Sequence, residues 1–461
     1  MNKQNDNQDL NLSDILSSSG LKEKLGFTIL MLAIYRLGVH IPLYGVDQAA
    51  LKSNPSLSSG LMGLVDMFAG GALSALSIFA LGVGPYITTS IVLQLLTEVI
   101  PGLKELQRGQ GEDGRKRFQQ ITRLGTIGLA GIQSFALCRF LDVAQIAPNA
   151  DFVFYLRSIV VLSVSALFVM WLGEVITEKG VSNGASLLIF CGIASKLPVM
   201  ITNTMTAVRV GTTPDWGVTI LLSVFALLIV LVIYLQEASR KLLIVGARRG
   251  AVANRDHYLP LKINPAGVLP IIFASALIYM PMQVLTFAGV KNKSVSMILR
   301  DWFSSIPGVD ALSGTQLADL GNWLATRLEF VFVYSKVEHS VVYFLLIVAF
   351  SFFYATIVLN PRDIAENLKK SGSSIEGIKP GKATSDYLEK VLSRLVLIGA
   401  GAIGLIAVLP IHAEIFCQVN TLGGLGSTSL LIMVGVAIDT RNQILSYVHS
   451  HRYQAKSLLR R

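Results

Sequence analysis

Residues 61–96 read LMGLVDMFAGGALSALSIFALGVGPYITTSIVLQLL, and how they meet a bilayer decides what the other helices must build. An apolar helix pattern covers 61–68, breaks at Gly70-Gly71, and resumes as a hydrophobic span over 78–96. As a helix, residues 61–73 would be roughly 20 Å long against about 30 Å of hydrocarbon, so this piece enters without crossing. Backbone in that position has to be buried in protein or line a wet cavity. The stretch therefore predicts a plugged or lined cavity.

The surrounding composition is that of an integral membrane protein. Of 461 residues, 52% are hydrophobic and 15% charged, with a mean hydropathy of +0.58. Soluble domains average about 25% charged residues. A net charge of +10 is also compatible with nucleic-acid binding, but in a membrane chain the first expectation is basic cytoplasmic loops. Ten hydrophobic runs of spanning length fall at 25–41, 78–96, 124–141, 152–172, 185–200, 218–235, 266–287, 341–359, 391–410 and 422–438. Loops on the N-terminal side carry 27 Lys and Arg, those on the opposite side 7. That asymmetry places both termini in the cytoplasm and agrees with an even number of spans. Residues 1–20 are polar and read as the start of a cytoplasmic tail, 1–24, rather than a cleavable leader.

Ten spans divide into two five-helix halves, 25–200 and 218–438, joined by a non-cytoplasmic connection at 201–217 and followed by a cytoplasmic tail, 439–461. Five is odd, so a repeat would have inverted topology, an arrangement that sets a functional site at the midplane. The expected fold is thus all-α and polytopic, with two inverted halves and a re-entrant half-helix at 61–73. Cytoplasmic loops 97–123, 236–265 and 360–390 are rich in basic residues. They read either as topology signals attracted to anionic lipid or as a docking platform for a large cytosolic partner. The outer loop 290–340 has mixed charge and reads as short amphipathic helices without chemistry.

Several patterns bear on chemistry. Val83, Ile87, Ser90 and Gln94 recur at helical spacing and share one face of the second span. Branched aliphatics leading into a hydroxyl and an amide suit a boundary between a constriction and water, and suit interhelical packing equally well. The run Gly399-Ala-Gly401-Ala-Ile-Gly404 matches G-x-G-x-x-G but lies inside an apolar span with no preceding strand, which points to close helix packing. Gly377–Lys382, GIKPGK, is one residue short of a phosphate loop and has Pro380 where a helix should open. No nucleotide, cofactor or metal site emerges: the six histidines form no ligand spacing, and Cys138, Cys191 and Cys417 show no redox spacing. Catalytic residues are likewise lacking. Within the spans, Arg36, Arg139, Arg157, Lys196 and Arg394 mostly lie near ends, where snorkelling accounts for them. No span has a central Asp or Glu, which weakens a secondary-transporter reading.

Five long stretches together resemble the SecY family, the channel subunits of the Sec protein translocase. They are MFAGGALSALSIFALGVGPYITTSIVLQLLT (67–97), MWLGEVITEKGVSNGASLLIF (170–190), LPLKINPAGVLPIIFAS (259–275), NPRDIAENLKKSG (360–372) and GSTSLLIMVGVAIDT (426–440). The resemblance runs from residue 25 to about 439. It implies a protein-conducting channel with two five-helix halves around an hourglass pore. The non-crossing piece then corresponds to a plug, here Leu61, Met62, Leu64, Val65, Met67, Phe68, Gly70 and Gly71, with the glycine pair as a flexible break that lets it swing. Val83, Ile87, Ile189, Ile272 and Ile432 match the family's apolar pore ring. A ring of branched aliphatics dewets and stops ions, yet its weak, unselective dispersion contacts let many sequences slide past.

The same resemblance places a lateral gate between the second and third spans and the seventh and eighth. Gln94 and Asn183 match polar interior positions, Gln94 near the gate. Arg248, Arg249 and Lys379 match surfaces that meet the ribosome or the motor ATPase SecA, and SecE and SecG are the expected companion subunits. Two departures stand out. Glu376-Gly-Ile-Lys379-Pro-Gly replaces a family P-G-I-R-P-G, and lysine lacks arginine's bidentate fork, which makes that partner contact less transferable. Val83 is smaller than the isoleucine common in the ring. The competing function class is an inverted-repeat secondary transporter of a small solute.

Overall fold

The structure is a computed structural model and describes residues 19–47, 66, 69–108, 111–143, 145–147, 151–246, 258–287, 337–419 and 427–458. Its helices, in chain order, are α1 (Ser19–Val39), α2 (Gly84–Val99), α3 (Pro101–Arg108), α4 (Gly111–Val143), α5 (Phe152–Lys179), α6 (Gly184–Arg209) and α7 (Asp215–Glu237). They continue with α8 (Leu269–Phe287), α9 (Val337–Val358), α10 (Pro361–Lys370), α11 (Lys382–Cys417) and α12 (Ser427–Leu458). Each of the ten hydrophobic runs contributes to one of these helices; α3 and α10 are short additions in basic loops. Six segments among the described residues are long and apolar enough to cross a membrane: Lys116–Asp142, Phe152–Lys179, Gly184–Arg209, Asp215–Glu237, Val337–Lys370 and Lys382–Cys417. Most of the outer loop read as amphipathic helices, 288–336, lies outside the described residues.

Local signals explain several boundaries. α10 starts where Asn360 accepts a bond from the Arg362 amide at 3.1 Å and Pro361 opens the helix. Asp363 in its first turn and Lys369 and Lys370 in its last complement the helix dipole. α2 corrects an expectation. Its run was read as helical from residue 78, but the helix begins at Gly84, with Pro85 in its first turn and Val83 as N-cap. Residues 69–83 form consecutive tight turns instead, and positive φ at Gly70, Gly71, Leu76 and Gly82 is incompatible with a continuous right-handed helix.

The basic loops hold a feature not anticipated from sequence, a three-stranded antiparallel sheet in the order β2-β1-β3. Its strands are β1 (Ser239–Gly246), β2 (Tyr258–Lys262) and β3 (Ser373–Ile375). Leu242 pairs with Leu259, and Ile244 with Ile375. Buried Leu242, Leu261 and Ile375 pack with Leu388, Val391, Leu392 and Leu395 of α11, and Ile364 and Leu368 of α10 flank them. On the exposed side the Lys241 ammonium stands 4.6 Å above the Tyr258 ring.

The chain forms two compact units, 1–196 with 436–461, and 197–435. In the first, α1 packs on α5, α2 on α4, and α4 on α5. Leu21, Val181 and Val448 close its end near both termini. In the second, α11 packs on α7 and α9, and α8 on α9. Here the Gly-x-Gly-x-x-Gly run is a packing device. A Cβ on Gly399 would lie 2.5 Å from the Ile263 carbonyl oxygen and one on Gly404 2.6 Å from the Phe344 ring, whereas one on Gly401 meets nothing within 4 Å. Gly401→Ala is therefore expected to raise stability by about 0.5–1 kcal/mol, the usual gain from removing a helix-interior glycine. Gly399→Ala should lower it. Thermal unfolding in detergent checks both, and equal midpoints would contradict the packing.

Candidate functional site

Residues 69–83 are anchored from several sides within the first unit. They are largely buried, which satisfies the rule that non-helical backbone at membrane depth be enclosed by protein. Several of their polar backbone groups are bonded outside the segment. The Leu43 amide donates to Leu76 O at 2.8 Å and the Ile78 amide to Ile41 O at 2.9 Å, around a bridge pairing Pro42 with Ser77. Phe79 stacks between Tyr35 and Phe168, with 6.0 Å between ring centroids on each side. Gly38 makes room for it: a Cβ there would sit 1.9 Å from the Phe79 ring.

Ahead of this anchored part lies a closed turn. Asp66 is 1% exposed. Its carboxylate accepts from the Ser74 amide at 2.7 Å and from the Ser74 hydroxyl, and it is ion-paired with Lys196 of α6. The Gly71 amide donates to Asp66 O at 2.9 Å. From α1, the Tyr35 hydroxyl donates to Ala69 O at 3.2 Å and Arg36 Nη1 to Gly70 O at 2.9 Å. Gly70 (φ +70°) and Gly71 (φ +88°) supply the left-handed backbone. A Cβ on Gly70 would lie 3.0 Å from both Gly192 Cα and the Tyr35 hydroxyl. The glycine pair, read from sequence as a flexible break, is thus a packed turn with partners on α1 and α6.

Lys196 and Arg36 also revise the snorkelling account. Both charges are spent on the turn, and Lys196 compensates a carboxylate that could not otherwise be buried. Arg157 lies over the Tyr44 ring at 4.3 Å, and Arg139 pairs with Asp142 at 3.3 Å. Sequence reasoning passed over Asp66, Tyr35, Arg36 and Lys196 as site residues. The available signal was a lone aspartate in an apolar half-helix and a lysine within the fifth run.

Of the expected ring, Val83 is buried as the N-cap of α2 and Ile87 half-buried in its first turn, while Ile189 in α6, Ile272 in α8 and Ile432 in α12 are buried. Ser90 and Gln94 share a long 3.5 Å contact, and Gln94 Oε1 is buried without a partner. Asn183 is exposed and caps α6, its Oδ1 accepting from the Ser186 amide at 3.2 Å. Lys379 is exposed just after β3. Leu61, Met62, Leu64, Val65, Met67, Phe68, Arg248 and Arg249 lie outside the described residues. The half-helix expected over 61–73 is described only at Asp66, which is helical, and at 69–73, which are turns.

These features define a polytopic helical membrane protein whose first unit holds a buried, non-crossing segment against two helices. The SecY family model matches residues 77–441. The chain is 40% identical over 446 residues to the protein translocase subunit SecY of Synechococcus elongatus, across 95% of this chain and 94% of that one. It belongs to the SecY family. Its fold is similar to a solved structure concerning the SecY plug domain, described as stabilising the closed state of the translocation channel, with TM-score 0.60, 18% identity and 92% of each chain covered. It is similar also to Sec61 in the canine ribosome–channel complex of the endoplasmic reticulum, with TM-score 0.59, 17% identity and 92% of each chain covered.

Proposed function

We propose that this chain is the channel-forming subunit of a protein translocase, passing unfolded polypeptides across a membrane and releasing apolar segments sideways into lipid. The observation that carries the reading is the buried segment 69–83, wedged into a family member's first unit without crossing as a helix. Residues 61–73, including Gly70 and Gly71, are the plug in this reading, and Val83, Ile87, Ile189, Ile272 and Ile432 contribute the apolar constriction. Gln94 belongs to the polar interior near the lateral gate. Asn183, an exposed cap, belongs there through its helix end rather than a free amide.

On the cytoplasmic side, Lys379 and the sheet carry the docking surface for the motor ATPase SecA or a ribosome, with Arg248 and Arg249 in the β1–β2 connection. SecE and SecG are the companion subunits in this reading. The channel is passive in this reading, and energy comes from a partner or a gradient. Reconstituted with SecE and SecA, the protein is expected to move an unfolded secretory precursor into vesicles, where added protease no longer reaches it. Uptake of small solutes without any precursor protection, across SecA and ribosome partners, would favour a carrier instead.

A further inference from the structure

We propose that Tyr35, Arg36 and Lys196 are positioning residues that latch the closed state, with the buried Asp66–Lys196 ion pair as the bolt; this rests on the plug reading above. The geometry separates a fixed side from a releasable side. Residues 76–83 are tied to the chain at 41–43 and stacked through Phe79, so they stay with the first unit. Asp66 and residues 69–74 are held differently, by side chains from two helices gripping three points, at residues 66, 69 and 70. Tyr35 and Arg36 of α1 hold the carbonyls of residues 69 and 70, and Lys196 of α6 holds the Asp66 carboxylate.

Each grip is polar; Asp66 and Tyr35 are buried, while Lys196 and Arg36 are half-buried. A buried carboxylate bonded to the Ser74 amide and hydroxyl still needs a counter-charge, and Lys196 is the cation paired with it. The turn is stable while that pair is intact and disfavoured once it is broken. The Gly70-Gly71 turn therefore does not swing freely: movement of the preceding residues begins with separation of Lys196 from Asp66. A translocating chain that displaces the plug has to bring about that separation, or offer Lys196 another anion.

The test uses the reconstituted complex with SecE and reads resting ion conductance without substrate. Lys196→Met is expected to leak about a hundredfold more than the unmodified protein, the population shift that follows from an uncompensated buried carboxylate. Lys196→Arg keeps the charge and should stay tight, which guards against simple misfolding. Asp66→Asn removes the need for a counter-ion while keeping an acceptor for Ser74, so the Asp66→Asn/Lys196→Met pair should leak no more than Lys196→Met alone. A tight Lys196→Met channel, a leaking Lys196→Arg channel, or additive leaks in the pair would overturn the latch. A variant lacking residues 61–68 separates the two readings. If it leaks while Lys196→Met stays tight, only the latch fails; if it stays tight, the plug reading fails with it.

Discussion

Replacing Ile87, Ile189, Ile272 and Ile432 together by glycine is expected to turn a resting, ion-tight channel into a conducting one. In the proposed ring, that removes four branched side chains at once, and a wider, less apolar neck would fill with water. The measurement is ion flux across a planar bilayer holding the reconstituted complex without precursor. Three of these residues are buried, and truncating a buried isoleucine even to alanine costs about 2–5 kcal/mol, so the glycine variant risks unfolding. A second variant with threonine at all four positions keeps most of the volume but wets the ring. It should fold and still leak. A tight bilayer with a folded threonine variant would remove these residues from the ring.

Gly184→Ala is expected to cost the folded protein about 1–3 kcal/mol or more, the range for forcing extra volume into a packed core. A Cβ there would stand 2.0 Å from the Gly173 carbonyl oxygen, which is backbone and cannot rotate away. The same contact is stitched by Thr177, whose hydroxyl donates to Gly173 O and accepts from the Gly184 amide, both at 2.8 Å. The alanine would part α5 from α6 and break that stitch. Gly128→Ala and Gly131→Ala, with nothing within 4 Å of either new Cβ, serve as controls and should be neutral or slightly stabilising. Heating in detergent, followed by size exclusion, reads the difference. Identical midpoints for Gly184→Ala and the controls would show that the crossing is looser than drawn.

How far the sequence could be read follows from what hydropathy measures. It reports apolar length, so the ten spans were visible, but not where a helix continues into water. α11 begins at Lys382, nine residues ahead of its apolar run, because Asp386, Glu389 and Lys390 are good enough helix residues outside lipid. Nor does hydropathy distinguish lipid-facing helix from buried turns. Residues 78–83 are as apolar as a span, yet their backbone follows the bonds to Ile41 and the positive φ of Gly82. The strands were hidden by charge: Leu242, Ile244 and Val245 sit among basic residues, and the period of two is short and interrupted by Leu243. The aliphatic residues matching the family ring were legible from the motifs they sit in. The pairing of Asp66 with Lys196 was not, since 130 residues separate them and only folding sets the two charges side by side.

The sheet in the basic loops has a mechanical consequence. β1 leaves the end of α7 after one residue, β3 follows α10 closely and leads into α11, and α7 itself packs on α11. Strand pairing ties these connections into a stiff crossbar, its apolar face seated on Leu388, Val391, Leu392 and Leu395. A load applied at the strands would therefore reach α11 through this apolar contact.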